Sequence, residues 1–150
     1  SGINFPYFNA KARASIFGLS LSTHRRHIAR AVLEGLAMRN VEILKGIEKE
    51  VNLDIKSIRV DGGVSKSDIL LQILADLSQV QVERAPESDM TATGVAYMAG
   101  IGAGFWKGYE DLKILRKNYD IFTPKMEPKI AEKKLKRWKK AVKAAISVFK

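Results

Sequence analysis

The stretch of this chain best suited to chemistry is Val60-Asp61-Gly62-Gly63-Val64-Ser65-Lys66-Ser67. A β-forming run, Lys56 to Val60, leads into it, and an apolar-periodic run leaves it. The order predicts a strand end, a glycine pair and a helix start. Two adjacent glycines let a backbone lie against a ligand with no Cβ between them. A helix start adds free N–H groups and the positive end of a dipole. In open α/β sheets, ligands bind at the carboxyl ends of strands. Neither common phosphate fingerprint is present: no Gly-Lys-Ser/Thr follows at P-loop spacing, and the three spaced glycines of the dinucleotide motif are missing. Taken alone, the pattern leaves two readings open: a nucleotide or sugar contact, and a tight structural turn.

Other reactive groups are sparse. The chain has no cysteine, which excludes disulfides and cysteine-held zinc or iron–sulfur centres. Its two histidines, His24 and His27, stand three apart at a helix start with no carboxylates at ligand spacing, so no metal site is expected. No Ser/His/Asp order is persuasive, and Glu48, Glu50 and Asp89 read as solvated surface. The residues point to binding rather than to a reaction centre, so no catalytic residue is assigned.

The elements that must position the glycine pair follow from periodicity. Ala12 to Leu19 reads as a strand, with Ile16 and Phe17 as strand formers and Gly18 as a bulge or close approach. Ser22 or Thr23 can cap a long helix over His24–Glu50. Its apolar face is expected at Ile28, Ala31, Val32, Gly35, Leu36, Val41, Leu44 and Ile47. Gly35 costs about 1 kcal/mol against Ala in a helix interior, which a close helix–strand contact would justify. After the strand at 56–60, Ser65 or Ser67 can cap a helix through Leu77, burying Ile69, Leu70, Ile73, Leu74 and Leu77. Val80–Glu83 alternates as a strand, 85–88 is a turn, and a helix rich in small residues spans about Met90–Phe105. Close packing on a sheet or another domain is its expected role. Gly108–Pro128 is a looser connection with a short helix near Tyr109–Leu115. The alternation implies an α/β domain with a largely parallel sheet. Three strands are few against the usual five or six or so. The chain also opens Ser1-Gly2 without methionine, so further strands are expected upstream.

At 150 residues and 46% apolar content, the chain suits one folded domain. No apolar run reaches the roughly 18 residues of a membrane span, and no signal peptide is visible; a cytoplasmic protein is expected. The net charge of +10 is uneven. Ten basic residues lie between Lys125 and Lys150 against Glu127 and Glu132, so that segment carries +8. Ile130, Leu135, Trp138, Val142, Ala145 and Phe149 form an apolar stripe along it. Residues 125–150 are therefore expected to form a basic amphipathic helix docked through Trp138, apart from a body at 1–124. The solvated face is favoured over nucleic-acid binding, because no recognition motif accompanies the charge.

Several blocks of the sequence resemble the C-terminal portion of the FGGY carbohydrate kinase family, its glycerol-phosphorylating members most of all. They are Phe5-Pro6-Tyr7-Phe8 with Ala12-Arg13; Ala14 to Leu19 followed by His27 to Glu34; and Arg59 to Gly63 followed by Leu71 to Asp76. Glu83-Arg84, Thr91 to Gly100, Gly104-Phe105-Trp106 and Trp138 to Val142 complete them. The resemblance implies an α/β, ribonuclease H-like fold: the second domain of the actin-like ATPases, lacking its first two strands, with 12–19 as the third. It implies that Gly62 and Gly63 border the adenosine of ATP. Ser67 stands where glycerol-phosphorylating members usually carry Asn, while several sugar kinases carry Ser. ATP with Mg2+ is the implied cofactor, glycerol the implied acceptor, and a homo-oligomer is allowed. The family's catalytic aspartate and polyol contacts lie upstream, so the chain alone is expected to be inactive. The alternatives are a kinase for xylulose or gluconate, and a basic module binding nucleic acid through Lys133–Lys143.

Overall fold

The computed structural model describes residues 2–86, 90–115 and 119–149. Five helices and three strands occur among them: α1 (Arg25–Val51), β1 (Ser57–Val60), α2 (Asp68–Ser78), β2 (Gln81–Arg84), α3 (Met90–Gly102), α4 (Tyr109–Leu112), β3 (Asp120–Phe122) and α5 (Pro128–Val148). A 3-10 turn, Gly63–Lys66, joins β1 to α2, and another, Lys113–Leu115, follows α4. No described helix is long and apolar enough to cross a membrane.

The sheet runs β1-β2-β3. β1 and β2 are parallel, with Ile58 opposite Val82, and α2 is their crossover. β3 pairs antiparallel to β2, with Phe122 opposite Val82. The sheet is thus mixed rather than largely parallel. The difference is β3, three residues with no strand pattern of their own inside the stretch expected to be a loose connection.

The core gathers on α2. Leu70, Leu71, Ile73, Leu74, Ala75 and Leu77 are buried there, against Ala37, Met38 and Val41 of α1, Val82 of β2 and Leu135 of α5. A helix packed on several sides is apolar around most of its circumference. Ile69 is the exception: expected on the buried side, it is 58% exposed, because it sits on the outer face of the first turn. Polar contacts fasten the edge of α2. The Asp76 carboxylate accepts from the backbone N–H groups of Lys125, 2.7 Å away, and Met126, and Gln72 donates to the carbonyl of Thr123.

One expectation fails and two hold only in part, each for a physical reason. Residues 12–19 form no strand: no ladder partner lies beside them among the described residues, and Ile16, Phe17 and Leu19 are exposed. Strand-forming side chains make a strand only when a neighbour supplies the hydrogen bonds. Second, the buried stripe of α1 is only partly the expected one: Val41 is buried as expected, and Gly35 and Leu44 are half-buried. Ile28, Val32, Leu36 and Ile47 face solvent, while Ala37, Met38 and Val41 are buried. A helix of 27 residues is about 40 Å long and α2, at 11 residues, about 16 Å, so α2 covers only the middle turns of α1. Gly35 accordingly meets Trp138 of α5, not a strand. Third, the α5 stripe holds at Leu135 and Val142, which are buried with Ala131, and at Trp138 on the core margin, but not at Ile130. Ile130 is turned outward, because the smaller Ala131 occupies the contact.

The helix α3 forms within the expected range, but a Cβ on its Gly94 or Gly102 would meet nothing within 4 Å among the described residues. Gly100 is its only buried residue, covered by the ring of Trp106, which also stands edge-on to Tyr97. The expected turn at 85–88 falls partly outside the described residues.

Candidate functional site

The site begins where β1 ends. Its last residue, Val60, is half-buried at the core margin, and its carbonyl accepts from Ala85 N–H at 2.9 Å, locking the strand end to the residue after β2. Gly62 then takes φ 84°, a left-handed conformation that side chains disfavour. The chain turns up into Gly63–Lys66 and enters α2.

Local polar bonds hold the turn from behind. Ser65 is buried, and both its N–H and its hydroxyl donate to the carbonyl of Gly62, at 3.2 and 2.7 Å. Ser67 is the N-cap of α2: its Oγ accepts from Leu70 N–H at 3.3 Å. That leaves the hydroxyl proton of Ser67 available to a ligand. Between the two serines expected as caps, the structure selects Ser67 for the helix and Ser65 for the turn.

The front of the turn is open. A Cβ on Gly62 or Gly63 would meet nothing within 4 Å, and Val64 and Lys66 are exposed. The three sequence-predicted residues, Gly62, Gly63 and Ser67, thus lie together on one turn, with backbone on the outside and the core beneath. Such a surface can accept a flat or polar ligand; the turn itself carries no cysteine and no histidine.

One residue at the site lies within a motif block but takes no site role from sequence. The side chain of Arg84, at the end of β2, reaches the underside of the turn. Its Nη1 donates to the carbonyl of Ser65 at 3.2 Å and to Asp68 Oδ1 at 2.6 Å. Its Nε and Nη2 donate to Asp120 Oδ2 at 3.0 and 2.7 Å, and its guanidinium lies over Phe122, 5.4 Å from the ring centre. Asp120 first, then Asp68, raise its already high pKa. The available signal was the arginine closing an alternating strand just before Pro86.

The other candidates are set apart. His24 and His27 sit at the start of α1 with ring centres 5.6 Å apart, and His24 N–H donates to His27 Nδ1. Among the described residues there is no group of three or more side chains able to hold a metal ion. On α5, Lys129, Lys133, Lys136, Arg137 and Lys140 line a shallow groove of ≈ 390 Å³ with Glu132. Lys134 points inward instead, to Glu34 at 3.3 Å.

Comparison with known proteins gives this geometry a context. The model described as the FGGY family of carbohydrate kinases, C-terminal domain, matches residues 1–103. Over all 150 residues the chain is 36% identical to the glycerol kinase of Enterococcus casseliflavus, of which it spans 29%. The crystal structure of Plasmodium falciparum glycerol kinase with ADP superposes with a TM-score of 0.86 at 33% identity, over 97% of this chain and 29% of that one. The ligand-bound xylulose kinase of Lactobacillus acidophilus gives 0.77 at 23% identity, over 95% of this chain and 29% of that one, and so shares the fold.

Proposed function

Because the chain belongs to the FGGY family of carbohydrate kinases, we propose that it is the C-terminal portion of an ATP-dependent polyol kinase acting on glycerol. The γ-phosphoryl group of ATP would pass to a glycerol hydroxyl, giving glycerol 3-phosphate and ADP. The observation carrying this reading is the open Gly62–Gly63 surface at the carboxyl end of β1, backed by a buried serine. The higher identity to glycerol kinases than to the xylulose kinase favours glycerol as acceptor.

In this reading the chain supplies one wall of the nucleotide cleft. The Cβ-free backbone of Gly62 and Gly63 lies against adenosine, and the Ser67 hydroxyl donates to it. Mg2+ would neutralise charge on the ATP phosphates, held by those phosphates, by water and by one or two carboxylates. Among the described residues no group of three or more metal-ligating side chains forms, and this reading assigns Mg2+ no ligand from this chain. Phosphoryl transfer rests on positioning and charge stabilisation across a whole cleft. No residue of this chain is assigned as the base, and the chain by itself would not turn over.

Gly63→Val in the intact kinase is the test. Gly63 has open space before it and no left-handed φ, so valine should fold there and intrude only on a bound ligand. KM for ATP should rise by at least about tenfold, with KM for glycerol unchanged. An unchanged KM for ATP would remove the turn from the site and make the α5 groove the next surface to test. ADP release with glycerol, xylulose and gluconate offered separately checks the acceptor; preference for either sugar compound would overturn glycerol and keep the nucleotide site.

A further inference from the structure

We propose that Arg84 is the positioning residue of this nucleotide wall, setting where the Gly62–Ser67 turn stands above the sheet. The inference rests on the functional reading just given and adds a residue to it. The register places Arg84 between Val60 and Asp120, so it occupies the middle strand at the edge from which the turn rises. One side of its guanidinium holds the turn, through the Ser65 carbonyl and Asp68, the first residue of α2. The other side is held by Asp120 on β3. The turn is therefore fixed to β2 and β3 by one planar, five-donor group. Its local bonds fix its shape, but among those described the Arg84 contacts set its height over β3.

Lysine cannot do this. An ammonium is a point donor on a flexible stem and does not reproduce the fork. In Arg84→Lys the charge would remain, while the turn could shift against β3 by a fraction of an ångström. Misplacement of about 1 Å costs binding or catalytic groups about a hundredfold in effect.

The sheet carries its own control. Arg59 of β1 donates through Nε to Glu83 Oε2 at 2.9 Å and lies over the Tyr119 ring at 5.1 Å. It is another arginine–carboxylate–aromatic group on the same sheet, one residue back, without contact to the turn.

The experiment is steady-state kinetics of the intact kinase carrying Arg84→Lys, Arg59→Lys or Gly63→Val. Arg84→Lys should raise KM for ATP about tenfold, leaving kcat at saturating ATP and KM for the acceptor within about twofold. Arg59→Lys should leave all three unchanged. A purely structural role would instead lower the yield of active enzyme, or kcat, without a selective change in KM for ATP, and would overturn the inference. Should Arg84→Lys fold poorly, Asp68→Asn combined with Asp120→Asn removes the carboxylates that aim the fork. That variant should raise KM for ATP about threefold, and no rise would equally overturn the inference. Gly63→Val separates the two failures. If it raises KM for ATP and Arg84→Lys does not, Arg84 positioning fails alone; if neither does, the nucleotide assignment itself fails.

Discussion

Of the glycines that face open space among the described residues, two groups contrast: Gly62 and Gly63 in the turn after β1, and Gly94 and Gly102 on α3. The turn has a core beneath it. α2 springs from it with Leu70 and Leu71 buried, Ser65 closes it and Arg84 grips it from the sheet. Around α3 the described structure places Trp106, folded over Gly100, and the Tyr109 hydroxyl at Met98 Sδ. Small residues thus serve two physical ends. In the turn they leave a fixed surface uncovered; in α3 they make a helix thin enough for close packing, and little packs on it here. A fixed, open backbone can select a ligand because its groups are already in place.

Burial should set the largest energetic difference between the two regions. Leu71, 2% exposed beneath the turn, should cost about 3 kcal/mol of stability when replaced by alanine. Val95 on α3, 66% exposed, should change stability by no more than about 0.5 kcal/mol as Val95→Ala. Urea unfolding of the two variants beside the unsubstituted chain measures both. Equal losses would undo the contrast and show that α3 is covered in solution, by self-association for instance.

A smaller effect tests the fastening of the turn itself. Ser67→Ala removes the side-chain acceptor for Leu70 N–H and should cost about 1 kcal/mol, as N-cap losses do. Asparagine caps a helix about as well as serine, so Ser67→Asn should restore stability. Measured together, the two variants separate the cap from any contact to the nucleotide: stability follows the cap, and KM for ATP follows the reach of the side chain. If Ser67→Ala leaves the unfolding midpoint unchanged, the cap is not what holds the start of α2.

What could be read from sequence here follows from range. β1, the glycine pair and α2 are set by neighbours within a few positions: a β-forming run, a helical period, a serine cap. The Arg84 fork joins residues 16 and 36 positions away, and no local pattern announces such partners. β3 is missed for the same reason, since three residues become a strand only by pairing with β2. On α1 the period is correct and the face is right at Val41 but wrong at Ile28, Val32, Leu36 and Ile47. Both Ile28–Val32–Leu36 and Leu33–Ala37–Val41 are helical stripes, and only the position of α2 decides which is buried. The segment at 12–19 has strand chemistry and no ladder among the described residues. The family resemblance fared differently, because it drew on residues spread over nearly the whole chain.

The contrast between fastened and loose backbone recurs near the N-terminus, where its effect is smallest and depends on pH. Residues 3–9 close on themselves through a bridge between Ile3 and Asn9, and the hydroxyl of Tyr7 donates to Glu42, a buried carboxylate of α1. Arg39 pairs with the same carboxylate at 2.9 Å and donates to the carbonyl of Phe5. The residues that follow, through Leu21, have no such anchor on α1, and Phe17 and Leu19 stay exposed. Burial, and then the bond to Glu42, push the Tyr7 pKa from 10.0 up to about 12. The folded state therefore holds a proton that the unfolded chain releases near pH 10. Stability from neutral Tyr7 is complete below pH 10 and is lost as the pH rises through about 12. Tyr7→Phe should be less stable than the unsubstituted chain at about pH 8, and the difference should shrink steadily between about pH 10 and 12. All other groups are common to both proteins and cancel in that difference. A gap in urea midpoint that stays constant across this range would mean that the Tyr7 hydroxyl is not held by Glu42, and that residues 3–9 lack this anchor on α1.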